Sequence, residues 1–151
     1  MKKILILVMA LGAYLVSAGQ VWTQFDFQVD SPEAQAKIIA ASNELMSTNF
    51  AKENLKGSVH LDVYISNGSS PATHSFAVLQ PSMAAHQEWM MALQNNPEGQ
   101  KFFRALNENS TPVNERVNSF IGSYGTASNS DNVWLIHQLR IDPADTQRLI
   151  K

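Results

Sequence analysis

The sequence predicts an α+β domain, and three observations predict it. Two segments alternate apolar and polar residues with a strict period of two, helical spacing follows each strand region, and the breaks between them carry specific turn and cap residues. The resulting order is strand, helix, strand, strand, helix, strand. Val21 to Val29 places Val21, Thr23, Phe25, Phe27 and Val29 on one face and Trp22, Gln24, Asp26 and Gln28 on the other, the mark of a half-buried strand. Asp30-Ser31-Pro32-Glu33 then offers an N-cap, a first-turn proline and a carboxylate three residues after the cap. Helical spacing of Ile38, Ile39, Ser42, Leu45, Met46 and Phe50 carries that helix to about Phe50.

The second strand is expected over Ser58 to Ser66, with Val59, Leu61, Val63 and Ile65 turned towards the helices. Asn67-Gly68-Ser69-Ser70-Pro71 is turn chemistry, so Thr73 to Leu79 reads as the return strand of a hairpin. Pro81-Ser82 opens a helix carrying Met83, His86, Trp89, Met90 and Leu93, and Asn95-Asn96-Pro97 breaks it. A shorter helix follows from about Glu98 to Leu106, and Asn107 to Pro112 reads as a loop. Val113 to Tyr124 suits either a helix or a fourth strand, and the strand is favoured because it completes the unit.

An internal similarity supports that reading. Val21 to Ile38 returns without a gap at an offset of 112 as Val133 to Ile150, with Val21/Val133, Trp22/Trp134, Asp30/Asp142, Gln35/Gln147 and Ile38/Ile150 identical. The expected organisation is therefore a domain over 19–125, a Gly/Ser/Asn/Asp linker over 126–131, and the opening strand of a second copy over 132–151. Residues 1–18 form a separate element: Lys2 and Lys3, an apolar run from Ile4 to Val16, and the small residues Ser17 and Ala18. This is the pattern of a signal peptide cut after Ala18, too short to span a bilayer, and it implies a secreted or periplasmic protein with no membrane attachment after cleavage.

Charge and composition exclude several functions. Removing residues 1–18 takes two of the 11 basic residues, leaving nine against 13 acidic ones. Without a basic stripe, nucleic acid is not an expected partner. There is no cysteine, hence no disulfide, thiolate metal site or lipid-anchoring cysteine. The four histidines lie on separate elements without metal-ligand spacing, and the glycines form no phosphate-binding loop, so no metal and no cofactor are expected.

The split β-α-β-β-α-β order is the ferredoxin-like arrangement. With Trp22 in the opening strand, the hairpin end Pro71-Ala72-Thr73-His74-Ser75-Phe76, and the stretches Ser82 to Trp89 and Asn96 to Phe103, the chain resembles the antibiotic-biosynthesis-monooxygenase-like domains of the dimeric α+β barrel superfamily. The resemblance covers about Val21 to Tyr124. It implies one sheet face under helices and the other against a partner sheet, with cofactor-free oxygenase, haem-degrading or ligand-binding roles. His86 and Trp89 share a helix face, but no asparagine matches the haem-degrading pattern, and haem is not expected.

The strand faces nominate the site. Trp22, His60, Asp62 and Tyr64, with Trp134 from the second copy, fall on the face away from the helices. Such a cluster suits a small aromatic or polar ligand, proton transfer by His60 beside Asp62, or a packed interface with a second repeat or a second copy. His137 reads as a core histidine, and His74, at a hairpin start, as solvated. Two functions remain: a secreted binding or interaction module of unknown ligand, and a cofactor-free monooxygenase-like enzyme acting on a small molecule between paired sheets. A water-excluding pocket with convergent polar groups separates the second from the first.

Overall fold

The computed structural model describes residues 19–119. The elements run β1 (Val21–Gln28), α1 (Pro32–Ser47), α2 (Asn49–Asn54), β2 (Ser58–Val63), β3 (His74–Gln80), α3 (Met83–Asn95), α4 (Pro97–Asn109) and β4 (Thr111–Ser119). The four strands form one sheet in the order β2-β3-β1-β4, and every neighbouring pair is antiparallel. This is the ferredoxin-like α+β fold that the strand and helix order predicts.

Each helix starts where a side chain can satisfy a free backbone N–H. The hydroxyl of Ser31 accepts from Ala34 N at 3.1 Å with Pro32 in the first turn, so the cap is Ser31 and not Asp30. The long first helix does not run to Phe50. Thr48 adopts extended backbone (φ −68°, ψ 154°) and its hydroxyl caps a new helix through Ala51 N at 3.1 Å, which ends α1 at Ser47. Ser82 caps α3 in the same way, and Asn96 followed by Pro97 caps α4.

α4 continues to Asn109 and β4 begins at Thr111, so the expected loop over Asn107 to Pro112 shrinks to Ser110. Pro112 is tolerated in β4 because, among the described residues, this is an edge strand, next to a register shift at Asp26/Phe27 that leaves Val113 without a partner. Residues beyond Ser119, including the expected linker and second copy, lie outside the described residues, as do residues 1–18.

The core lies between the helices and one sheet face. Phe25, Phe27, Val59, Leu61, Phe76 and Val78 point to it from the strands and meet Ile38, Leu45, Trp89, Leu93 and Phe102 from the helices. Aromatic rings tie the layers together: Phe27 stacks on Phe76 at 5.5 Å, and Phe102 meets Phe76 edge-on at 5.4 Å. The expected helix-facing row along β2 is shorter than its alternation suggests, since Val63 is 56% and Ile65 86% exposed. The ladder stops at Val63, ahead of the turn in which Gly68 takes φ +57°, and its last residues pass beyond the helices.

Candidate functional site

Three places concentrate chemistry. The first is the sheet face opposite the helices. Antiparallel pairing sets Gln24 between Ala77 and Arg116, and Asp26 between Ser75 and Asn114, all on that face. Asp26 is buried, and its carboxylate accepts from the Tyr64 hydroxyl at 2.6 Å, from Gln24 Nε2 at 3.0 Å and from Arg116 Nη2. Gln24 Nε2 also donates to the Tyr64 oxygen at 2.5 Å. Burial, then the hydrogen bond to Asp26, pushes the Tyr64 hydroxyl above its ordinary value, so it stays protonated and donates.

Of the residues nominated from sequence, Trp22, His60, Asp62 and Tyr64 all originate on this side of the sheet, and Tyr64 joins the Asp26 network. Trp22 opposes Leu79 and Asn118, and its indole N–H is buried without an acceptor among the described residues. His60 is exposed and lies 3.1 Å from the Ser58 hydroxyl. Asp62 opposes Ser75; burial raises its carboxyl above the ordinary value and the charge of His60 offsets part of that. No side-chain hydrogen bond joins His60 or Asp62 to the Asp26 network among the described residues. Trp134 and His137 lie outside them. Sequence reasoning missed Gln24, Asp26 and Arg116, although the alternation of β1 already put the first two beside Trp22 on this face.

The second place lies between the sheet and the helices. A cavity of about 80 Å³, partly open to solvent, lies between sheet and helices, lined by Phe25, Leu45, Val59, Val78, Trp89 and Leu93 among others. Its single hydroxyl, Ser42, is already engaged, donating to Ile38 O at 2.7 Å, and no lining residue is ionisable.

Buried histidines mark the third. His74 is 6% exposed and not solvated as its place at a hairpin start suggests, because it falls on the helix side of β3 opposite Phe27 and stacks on that ring at 5.8 Å. His86 is also 6% exposed, with both ring nitrogens 3.3 Å from the Thr23 hydroxyl. Burial pushes both below the ordinary histidine value, with the charge of Glu115 partly offsetting this at His86. Among the described residues no group of three or more His, Asp or Glu is placed to hold a metal ion.

No family model matches the chain, and no curated protein matches it in sequence. Solved structures do match in fold. A dimeric ferredoxin-like protein of unknown function from Thermobifida fusca is 9% identical with a TM-score of 0.52, over 69% of this chain and 93% of that one. A hydroxynitrile lyase from Passiflora edulis is 12% identical with a TM-score of 0.53, over 72% of this chain and 99% of that one. A cofactor-independent oxygenase from Streptomyces nogalater is 14% identical with a TM-score of 0.50, over 70% of this chain and 97% of that one. At these identities the likeness is one of architecture, and it places the described residues in the ferredoxin-like fold, the level at which the resemblance read from the sequence holds.

Proposed function

We propose that this protein is an exported binding module that takes a small apolar ligand between its sheet and its helices and self-associates through the opposite sheet face. The cavity carries this reading. Space lined by aliphatic and aromatic side chains favours apolar guests; a fully enclosed void of about 150 Å³ of this kind stays dry and holds benzene or xenon. The space here is smaller, about 80 Å³, and suits a short chain or a noble-gas atom.

A monooxygenase-like enzyme is the weaker reading. General acid–base work needs a titratable group within hydrogen-bond reach of the reacting atom, and the lining of this cavity supplies none. The names of the lyase and the oxygenase that share the fold bring an activity into view without supplying its residues here. Self-association draws support from the Thermobifida fusca protein that shares the fold, which is dimeric.

The cavity reading is tested by xenon titration followed by methyl-resolved NMR of the full chain. Saturable shifts at Leu45, Val78 and Leu93, with Val63 and Ile65 unmoved, are expected. Uniform or non-saturating shifts would reject the cavity as a binding site. For export, N-terminal sequencing of material recovered outside the cytoplasm should begin at or near Gly19, and a chain still starting at Met1 rejects that part.

A further inference from the structure

The hairpin between β2 and β3 carries the one Asn-Gly pair in the sequence, Asn67-Gly68. Its backbone makes a tight turn. Ser70 N donates to Asn67 O at 3.1 Å, Gly68 has φ +57°, and Ser69, like every other non-glycine residue described, has no positive φ. A positive φ at the first central position and not at the second is the type II′ arrangement, which glycine enters without steric cost.

Two features set this asparagine apart. Among the described residues no hydrogen bond engages the Gly68 N–H, and no atom beyond its chain neighbours lies within 4 Å of where a Cβ on Gly68 would sit. The nitrogen that follows Asn67 is therefore free and open to approach. The helical asparagines are placed otherwise. Asn43 lies inside α1, where the next N–H belongs to the helix ladder, and Leu55 N, which follows Asn54, donates to Ala51 O at 2.9 Å.

The Asn67 side chain also closes the hairpin. Its Nδ2 donates to Ala72 O at 3.1 Å, and three residues earlier Tyr64 N donates to Thr73 O at 2.9 Å. The Tyr64 hydroxyl in turn donates to Asp26 at 2.6 Å. The Asn67 amide is thus the outer tie of the hairpin end that presents Tyr64 to Asp26.

We propose that Asn67 is a site of spontaneous covalent modification, at which the chain converts its own side-chain amide into a carboxylate with water as the only co-reactant. The Gly68 nitrogen loses its proton to solvent and attacks Asn67 Cγ. The N–Cγ bond forms, the Cγ–Nδ2 bond breaks, and the side-chain nitrogen takes up a proton and leaves as ammonia, giving a cyclic imide. Water then opens the ring. Cleavage of the new N–Cγ bond gives an aspartyl residue, and cleavage of the original peptide C–N bond gives an isoaspartyl residue whose chain runs through Cγ. One water is consumed, one ammonia is released, and nothing is oxidised or reduced. Nucleophile and electrophile sit on adjacent residues, so the attack is intramolecular, and the bare Gly68 leaves it unobstructed. The product lacks the Nδ2 donor and sets a negative charge near Ala72 O, so the hairpin end opens more often.

The test ages the full chain at neutral and at mildly acidic pH and follows each asparagine by peptide mass spectrometry, with isoaspartyl peptides separated by chromatography. The mass gain of exchanging NH2 for OH should appear first at Asn67, in both aspartyl and isoaspartyl peptides. It should be faster at neutral pH, because the attack needs a deprotonated nitrogen. Gly68→Ala should slow it at least about tenfold by crowding that nitrogen and disfavouring the positive φ. Asn67→Gln, which keeps an amide but sets its carbonyl carbon one methylene further away, should abolish it. Hydrogen exchange at the Tyr64 amide should be faster in Asn67→Asp and in the aged chain than in the fresh chain. Modification no faster at Asn67 than at Asn43 and Asn54, or a rate untouched by both variants, would overturn the proposal. Aspartyl product without isoaspartyl would overturn the imide route, and unchanged Tyr64 exchange would overturn the link to the hairpin end.

Discussion

Filling the cavity is the sharpest perturbation available. Ser42 lies on α1 with its hydroxyl turned back to Ile38 O, and it is the one polar group lining an otherwise apolar space of about 80 Å³. A void costs about 24 cal/mol per Å³ because its lining loses contact partners, so a space of about 80 Å³ costs up to about 2 kcal/mol. Replacing Ser42 with Val, and then with Leu, adds methyl and methylene groups to that space. Leucine is also the better helix former by a few tenths of a kcal/mol. Ser42→Val should stabilise the fold by about 1 kcal/mol and Ser42→Leu by up to about 2 kcal/mol. For a domain of this size each kcal/mol moves the melting temperature by roughly 4–8 °C. Thermal unfolding by circular dichroism measures the gain, and xenon uptake should fall in the same order as stability rises. If leucine overpacks, it loses roughly 1–3 kcal/mol while valine still gains. Loss of stability in both variants, with xenon binding unchanged, would refute the argument by showing that Ser42 does not border fillable space.

Three other outcomes follow from the same geometry. Leu61→Asp places an unpaired carboxylate against Phe76 on the helix side and should cost about 3 kcal/mol or more, whereas Asp62→Leu on the opposite face removes a carboxyl that burial already penalises and should be near neutral; equal urea midpoints for the two would mean the faces are reversed. Gly99→Ala should be among the most damaging single-methyl changes in the chain, because a Cβ there overlaps the backbone carbonyl of Leu93; a soluble variant with unchanged melting temperature would contradict the tight join between α3 and α4. His74 and His86 have folded-state values below the ordinary 6.5, so the native state resists protonation at both; stability is complete above pH 6.5 and declines as pH falls through their folded values, an effect read from urea midpoints at successive pH. Histidine ring-proton titrations that place either residue at or above 6.5 would contradict that burial.

Local chemistry determined most of the architecture. The two-residue alternation of Val21 to Gln28 and Ser58 to Val63 separates a core face from an opposite face whatever the strands pair with. Ser31, Ser82 and Asn96 start helices at their own positions because a cap needs only its own next turn. On those grounds the strand and helix order, and with it the ferredoxin-like class, is readable from the chain. The same alternation put Trp22, His60 and Asp62 on the face away from the helices.

What depends on residues far apart in the chain had to wait for the tertiary structure. The side on which His74 is buried follows from its pairing with Phe27 across the sheet, and a hairpin start alone suggests solvent. Where the helices stop covering β2 decides that Val63 and Ile65 stay exposed, a matter of packing that periodicity does not contain. The Asp26 network joins side chains from β1, the end of β2 and β4, separated by 38 and 90 residues, and only antiparallel registry brings them within hydrogen-bond reach. The cavity exists because rigid helices lie over a sheet that their side chains do not completely fill. Alternation tells which way a side chain points; what it meets there is decided by elements that the chain brings back from a distance.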